Sequence, residues 1–354
     1  MTTVAEFAIE LTQLLDPNGR VVGPLPDFAR DPAELIALYR AMVLTRTFDT
    51  KAIALQRTGR LGTYASSLGQ EAVAVGVAAA MQHQDVLLPS FREHGAQLWR
   101  GVTLKELFLY WGGDERGNDF AGPRQDFPNC VPVGSHAPHA VGVALAFRLR
   151  RERHAAVCLF GDGATSKGDV AEAFNMAGVW KVPAIFVINN NGWAISVPRA
   201  QQTAAATLAQ KAIAAGIPGE QVDGNDVIAV RMVAERALAR ARRGDGPSLI
   251  EVVTYRLCDH TTADDASRYR DDAEVSRHWS AEPIARLRSY LVGLGAWTKD
   301  KEEALLQECS RAVEDAAGAY LATAPLPPAA MFEHVYANAP ADLIEQQEVL
   351  SCSM

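Results

Sequence analysis

One stretch of the chain restricts its architecture more than any other: CLFGDGATSKGDVAEAFNMAGVWKVPAIFVINNNGWAIS, from Cys158 to Ser196. The run AAVCLF (155–160) is short, wholly apolar and ends at a glycine turn. Residues Gly168–Trp180 follow with helical spacing, and AIFVIN (184–189) is a second short apolar run. Strands that are apolar throughout are covered on both faces, which is the condition of a parallel sheet. A strand, a helix and a second strand of this kind make one βαβ unit. The stretch GEQVDGNDVIAVRMVAERALARARRGDGPSLIEVVTYR repeats the alternation, with a helix capped by Asn225 or Asp226 and closed at Gly244.

Upstream, Asp31-Pro32 is a good helix start, and Leu35, Leu38, Met42 and Val43 recur at helical spacing behind it. The spacing also predicts helices over Gly69–Met81 and over Pro138–Arg153, the latter lined by Ala140, Gly142, Ala144 and Ala146. Residues 112–130 are polar and read as a long loop. The expectation is an α/β protein: a loose N-terminal arm over 1–34, a mostly parallel sheet with helices on both faces over 35–275, and a helical C-terminal extension over 276–354. A chain of 354 residues that is 48% hydrophobic and 21% charged has ample apolar surface for such a core.

Charge and composition remove several classes of function. The formal net charge is -8 and no basic run exceeds short Arg patches, so no nucleic-acid surface is expected. No apolar stretch reaches the roughly 18 residues of a membrane span. Early acids (Glu6, Glu10, Asp16) against a single early Arg20 do not match a secretory or transit segment, and a cytoplasmic location is expected. The five cysteines are scattered without CxxC spacing, which argues against a disulfide framework or a zinc site.

The turn Gly161-Asp162-Gly163 poses a chemical question, because an acid in a phosphate-type glycine loop repels an anion. Three readings are open. A dinucleotide fingerprint wants a third glycine where Ser166 stands, and an acid where the second strand ends in Asn. A plain structural turn accounts for the glycines alone. A magnesium site accounts for the acid as well: Asp162 and Asn191 are hard oxygen ligands, magnesium keeps phosphate oxygens in its shell, and Gly163 lets the backbone approach a diphosphate.

A GDG followed by about 30 residues and then NN resembles the thiamine diphosphate motif. With RTGRLGTYASSLGQEA, PSFREHGAQLWRG, VDGNDVIAV, GPSLIEVVTYR and DHTTADDASRYR, the chain from about residue 35 to about 345 resembles one family. It is the alpha subunit of the decarboxylating component of 2-oxo acid dehydrogenase complexes, of pyruvate or branched-chain type. The resemblance implies the thiamine diphosphate-binding fold, with thiamine diphosphate and Mg²⁺ as cofactors.

Carried over residue by residue, it makes Asp162, Asn191 and the Trp193 carbonyl the metal ligands, with Gly161, Gly163 and Ala164 along the diphosphate. Arg92 would clamp phosphate, and Phe91 stands where the family has Tyr, losing a hydroxyl contact. The backbone of Val131, Pro132 and Val133 would hold the aminopyrimidine. His94 matches a histidine near the reactive centre of pyruvate-type members. His260 matches the histidine that assists reductive acylation of a lipoyl group, on a polar loop expected to be mobile. Thr261 lies where mitochondrial relatives are phosphorylated, and no such regulation is expected here. A potassium ion would sit at Ser135, though His136 departs from the family's Gln. The glutamate that pairs with the aminopyrimidine would come from a beta subunit in an α2β2 heterotetramer. The acyl group would pass to a lipoyl-bearing dihydrolipoamide acyltransferase. The substrate would be a small 2-oxo acid: pyruvate, with the branched-chain acids as the alternative.

Overall fold

The computed structural model describes residues 1–333 and 335–352. Six parallel strands form the central sheet: β1 (Leu11–Thr12), β2 (Val86–Leu88), β3 (Ala156–Gly161), β4 (Ala184–Asn190), β7 (Gly219–Asp223) and β8 (Ser248–Val253), in the spatial order β1-β7-β8-β4-β3-β2. A two-stranded hairpin, β5 (Trp193–Ala194) with β6 (Val197–Pro198), follows β4.

Alternation along the strands divides the core in two. Val157, Leu159, Ile185 and Val187 face one side, where α1 (Pro32–Arg57), α2 (Glu71–Ala80) and α9 (Val227–Arg242) pack with α11 (Pro283–Gly293) and α12 (Lys299–Leu321). Cys158, Phe160, Phe186 and Ile188 face the other, beneath α5 (His136–Arg150) and α6 (Gly168–Trp180). The remaining helices are α3 (His94–Arg100), α4 (Leu104–Trp111), α7 (Arg199–Gln202), α8 (Lys211–Ala214), α10 (Asp272–Trp279) and α13 (Ala341–Cys352).

Local chemistry explains the boundaries. Asp31 caps α1 through the Ala33 amide with Pro32 in the first turn. Of the two candidate caps for α9, Asp226 is the one used: its Oδ1 accepts from Ile228 and Ala229 at 3.1 Å. α5 starts two residues earlier than its spacing predicts and stops where Arg151 turns left-handed (φ 60°).

The N-terminal segment is not loose throughout. β1 pairs with β7 as an edge strand. The amides of Leu14 and Leu15, both buried, donate to the other carboxylate oxygen of Asp226 at 2.8 and 2.6 Å. A two-residue strand has no periodicity to read, so this tertiary tether was invisible in the sequence. The helical C-terminal part also joins the main core. Leu287, Leu291 and Leu305 are buried in it, and the Tyr39 hydroxyl on α1 donates to Glu302 on α12 at 2.8 Å.

Candidate active site

β3 and β4 pair with Gly161 opposite Asn189. The strands therefore deliver Asp162 and Asn191 to the same sheet edge, where a cavity of about 570 Å³ opens. Carboxyl ends of parallel strands are where such folds bind ligands. The floor is the GDG turn. A Cβ on Gly161 would project into open space, so its absence keeps room there, whereas a Cβ on Gly163 would meet that of Ala194 at 2.7 Å. Ala164 is buried beside them and closes the floor.

Asp162 is only 2% exposed. Burial raises its pKa, against the opposing hydrogen bond from Gln202, whose Nε2 donates to Oδ2 at 2.8 Å. A buried carboxylate whose side-chain donor is a neutral amide is poised for a cation. Across the edge, Asn191 Oδ1 accepts from the Trp193 amide at 3.2 Å, which ties the side chain to the start of the hairpin. Trp193 packs on Tyr269, centroids 5.5 Å apart.

The segment after β2 supplies the basic wall. Arg92 is buried, donates to the Ser66 carbonyl at 2.6 Å and lies over the Phe91 ring, 5.3 Å from its centroid. Its second nitrogen donates to Nδ1 of His260 at 2.9 Å. Arg256 directs a nitrogen at the same Nδ1 from 3.4 Å. A guanidinium only donates, so Nδ1 is an acceptor and the imidazole proton sits on Nε2. Burial first, then the charges of Arg92 and Arg256, push the His260 pKa down to about 3. The ring is neutral at pH 7 and stands beside two cations that carry no ion pair with a carboxylate among the described residues. This wall suits an anion.

The loop after His260 is polar, as its sequence says, yet it is tied down. The His260 amide donates to Asp264 at 2.8 Å, and Tyr269 bridges Asp264 and Arg256 through its hydroxyl. Thr262 and Tyr64 exchange two hydrogen bonds of 2.9 Å. Thr261 lines the cavity, and its hydroxyl accepts from Ala263.

Val131 and Val133 line the opposite rim and are 56% and 44% exposed, an apolar lip facing outward with Ile195. His94 does not reach the cavity. It is fully buried, its Nε2 accepts from Trp111 Nε1 at 3.0 Å, and Tyr64 stacks on its ring at 5.3 Å. Burial and then Arg92 lower its pKa to about 3. The direct role expected of it at the reactive centre gives way to a position behind Trp111, which does line the cavity. His136 is also turned inward, with Nε2 on the Leu159 carbonyl at 2.8 Å, and the Ser135 hydroxyl is spent on Pro132 at 2.7 Å. The Ser135 oxygen keeps lone pairs that could meet a cation, whereas the His136 ring is committed to the interior.

Sequence reasoning missed Glu93, Trp111 and Gln70. Glu93 lines the cavity and is 3% exposed. Burial raises its pKa to about 6, with Ser90 and Arg92 donating to it. A lone Glu inside FREHG carries no pattern that separates it from a surface acid.

The cavity brings together a carboxylate (Asp162), an amide oxygen (Asn191) and the Arg92 guanidinium, with Arg256 buried behind His260. Such a set can hold a cation and an anionic group side by side, as enzyme sites for phosphorylated coenzymes do. The chain belongs to the dehydrogenase E1 component family, whose profile matches residues 39–327. It is 41% identical over 347 residues to the "3-methyl-2-oxobutanoate dehydrogenase subunit alpha" of Mycobacterium tuberculosis (strain ATCC 25618 / H37Rv), covering 98% of this chain and 95% of that one. It is 40% identical over 343 residues to the "Pyruvate dehydrogenase E1 component subunit alpha" of Staphylococcus aureus (strain Mu50 / ATCC 700699), covering 96% and 92%. No helix among the described residues is long and apolar enough to cross a membrane.

Proposed function

We propose that this chain is the alpha subunit of a thiamine diphosphate-dependent 2-oxo acid dehydrogenase, acting on pyruvate in the cytoplasm as part of a multienzyme complex. The observation that carries the reading is the cavity wall itself: the buried carboxylate of Asp162, whose side-chain hydrogen-bond donor is only the neutral Gln202 amide, and the guanidinium of Arg92, which has no carboxylate ion pair among the described residues. A diphosphate bridged to Mg²⁺ satisfies both at once.

Asp162, Asn191 and the Trp193 carbonyl would hold the metal. Arg92 would pair with phosphate, with Gly161, Gly163 and Ala164 giving the backbone room to approach. The exposed stretch from Val131 to Val133 would support the aminopyrimidine ring. When bound, thiamine diphosphate supplies the carbanion chemistry that releases CO₂ from the substrate. His260, neutral and with its proton on Nε2, would offer that N–H as a hydrogen-bond donor to a reacting group, and could shuttle a proton only once its pKa is raised. An arriving anion would offset Arg92 and Arg256 and raise the pKa of His260 toward its ordinary range.

Pyruvate is favoured by bulk. Phe91 and Trp111 both line the cavity, and Trp111 is fixed by its bond to His94, which suits a small acyl group. The branched-chain reading stays as the alternative, since the 41% and 40% identities to the mycobacterial and staphylococcal relatives weigh equally. The apolar lip of Val131, Val133 and Ile195 is a surface for a beta subunit, which would complete the site in an α2β2 assembly. A lipoyl-bearing acyltransferase would accept the acyl group.

The test is co-expression with the cognate beta chain and comparison of kcat/KM for pyruvate and 2-oxoisovalerate. Preference for pyruvate supports the proposal, and preference for 2-oxoisovalerate replaces it with the second reading. Full turnover by the alpha chain alone would refute the shared site.

A further inference from the structure

Gln70 stands immediately before α2, and its place is set by the backbone around it. Gly69 is left-handed (φ +83°), and a Cβ there would meet Leu257 at 2.7 Å. Behind it, Glu71 is fully buried and bound to Arg46 at 2.7 Å, so the start of the helix cannot shift. Gln70 itself is 2% exposed. Its Oε1 accepts two hydrogen bonds of 3.0 Å, one from Nδ2 of Asn189 and one from Nδ2 of Asn191.

The orientation of these three amides is determined. The main-chain N–H of Trp193 can only donate, and it donates to Oδ1 of Asn191. Asn191 must then turn its Nδ2 toward Gln70, and Gln70 must answer with its oxygen. Thr254 closes the chain by donating to Oδ1 of Asn189 at 2.7 Å. Nε2 of Gln70 is left buried without a partner. That orphan N–H is a standing cost, and it persists because the oxygen is needed where it is.

We infer that Gln70 is a positioning residue for the metal: by accepting from Nδ2 it holds the Asn191 amide in the one orientation that presents Oδ1 as a ligand. An asparagine amide has two ends of equal shape, and only the oxygen binds a hard cation. Without an acceptor at Gln70, only the 3.2 Å bond from the Trp193 N–H would hold that orientation, and the amide would present NH₂ to the metal part of the time. Partners behind a ligand commonly govern metal affinity by one to two orders of magnitude. The inference rests on the metal site proposed above and goes beyond it by naming the residue that keeps the ligand in register.

The experiment uses the complex co-expressed with its beta chain, and Mn²⁺ as a spectroscopic substitute for Mg²⁺. Bound Mn²⁺ is counted by electron paramagnetic resonance in the presence of thiamine diphosphate. Gln70→Met keeps the volume and removes the acceptor, and it should weaken Mn²⁺ binding by about tenfold or more. Gln70→Glu keeps an acceptor and should stay within about threefold of wild type. In an Asn191→Asp background, where both ends of the side chain are oxygen, Gln70→Met should cost nothing further.

Three results would overturn the inference: Gln70→Met binding Mn²⁺ like wild type, Gln70→Glu losing as much as Gln70→Met, or an undiminished loss in the Asn191→Asp background. The last two would mark Gln70 as packing only. Should Gln70→Met fail to assemble, a crystal structure of the wild-type complex with metal decides. Gln70 Oε1 on Asn191 Nδ2 supports the inference, and Gln70 out of hydrogen-bond reach of Asn191 refutes it. Wild-type complex that binds no Mn²⁺ at all sinks the functional reading itself, an outcome distinct from a wild-type signal that Gln70→Met leaves intact.

Discussion

The two sides of the cavity are built by different means. The acidic side hangs on strand register: β3 and β4 run parallel, and Asp162 and Asn191 fall where those strands end. The basic side is assembled from side chains. His260 leaves β8 on a polar loop and is placed by Arg92, Arg256, Asp264 and Tyr269 through hydrogen bonds. Ladder hydrogen bonds and a packed sheet resist local opening, while a loop held by partly exposed side-chain bonds opens at much lower free energy. The contrast teaches that the Asp162–Asn191 end, proposed to hold the metal, should be rigid before any ligand arrives, and that the His260 end should depend on a few replaceable bonds.

The largest test attacks the rigid side. Asp162→Ala should abolish binding of thiamine diphosphate with Mg²⁺ in the assembled complex, measured by calorimetric titration. The fold should persist, because the variant also removes a buried carboxylate whose pKa burial raises. Retained affinity would break the comparison at its base.

Next comes Glu93, in the same rigid frame after β2. Its carboxyl is raised from 4.5 to about 6 by burial, so the folded state favours the neutral acid. Raising the pH from about 4.5 to about 6 therefore costs stability, up to about 2 kcal/mol at full ionisation. Glu93→Gln should flatten that part of the curve of Tm against pH in the coenzyme-free complex.

The side held by side-chain bonds is probed by Tyr269→Phe, which deletes the hydroxyl that bridges Asp264 and Arg256. It should weaken the loop by about 1 kcal/mol. Faster hydrogen exchange should be confined to the segment around 259–271, and turnover should fall several-fold while metal affinity stays at the wild-type value. Loss of metal affinity would show that the two sides are one unit.

The smallest expected effect concerns protonation. The folded pKa of His260 lies below its ordinary 6.5, at about 3, so its contribution to stability is present above 6.5 and is lost as the pH falls toward 3. Arg92→Met removes the larger of the two charge contributions. The imidazole resonances should then titrate at higher pH, as read by NMR or by the pH profile of chemical modification.

Much of this was legible before any coordinates. Short apolar runs bounded by turns announced β3, β4 and β8, since only a doubly covered strand is apolar on both faces. The spacing of GDG and the asparagine run placed Asp162 and Asn191, the two proposed oxygen ligands, at neighbouring strand ends. β1, β2 and α3 went unseen, because two or three residues of strand and one tight helix carry no period. The misjudged side chains share another cause. His94 and His260 look alike in a sequence, and so do Glu93 and any surface acid.

Composition and pattern along the chain determined the layered α/β class and the central alternation of strands and helices, because these depend on neighbours within a few residues. The tertiary structure alone decided which histidine faces the cavity, which amides Gln70 accepts from, and which carboxyl burial raises. Those outcomes depend on burial and on partners far away in the chain: Gln70 meets Asn191 across 121 residues, and Arg92 meets His260 across 168. No local pattern records such meetings.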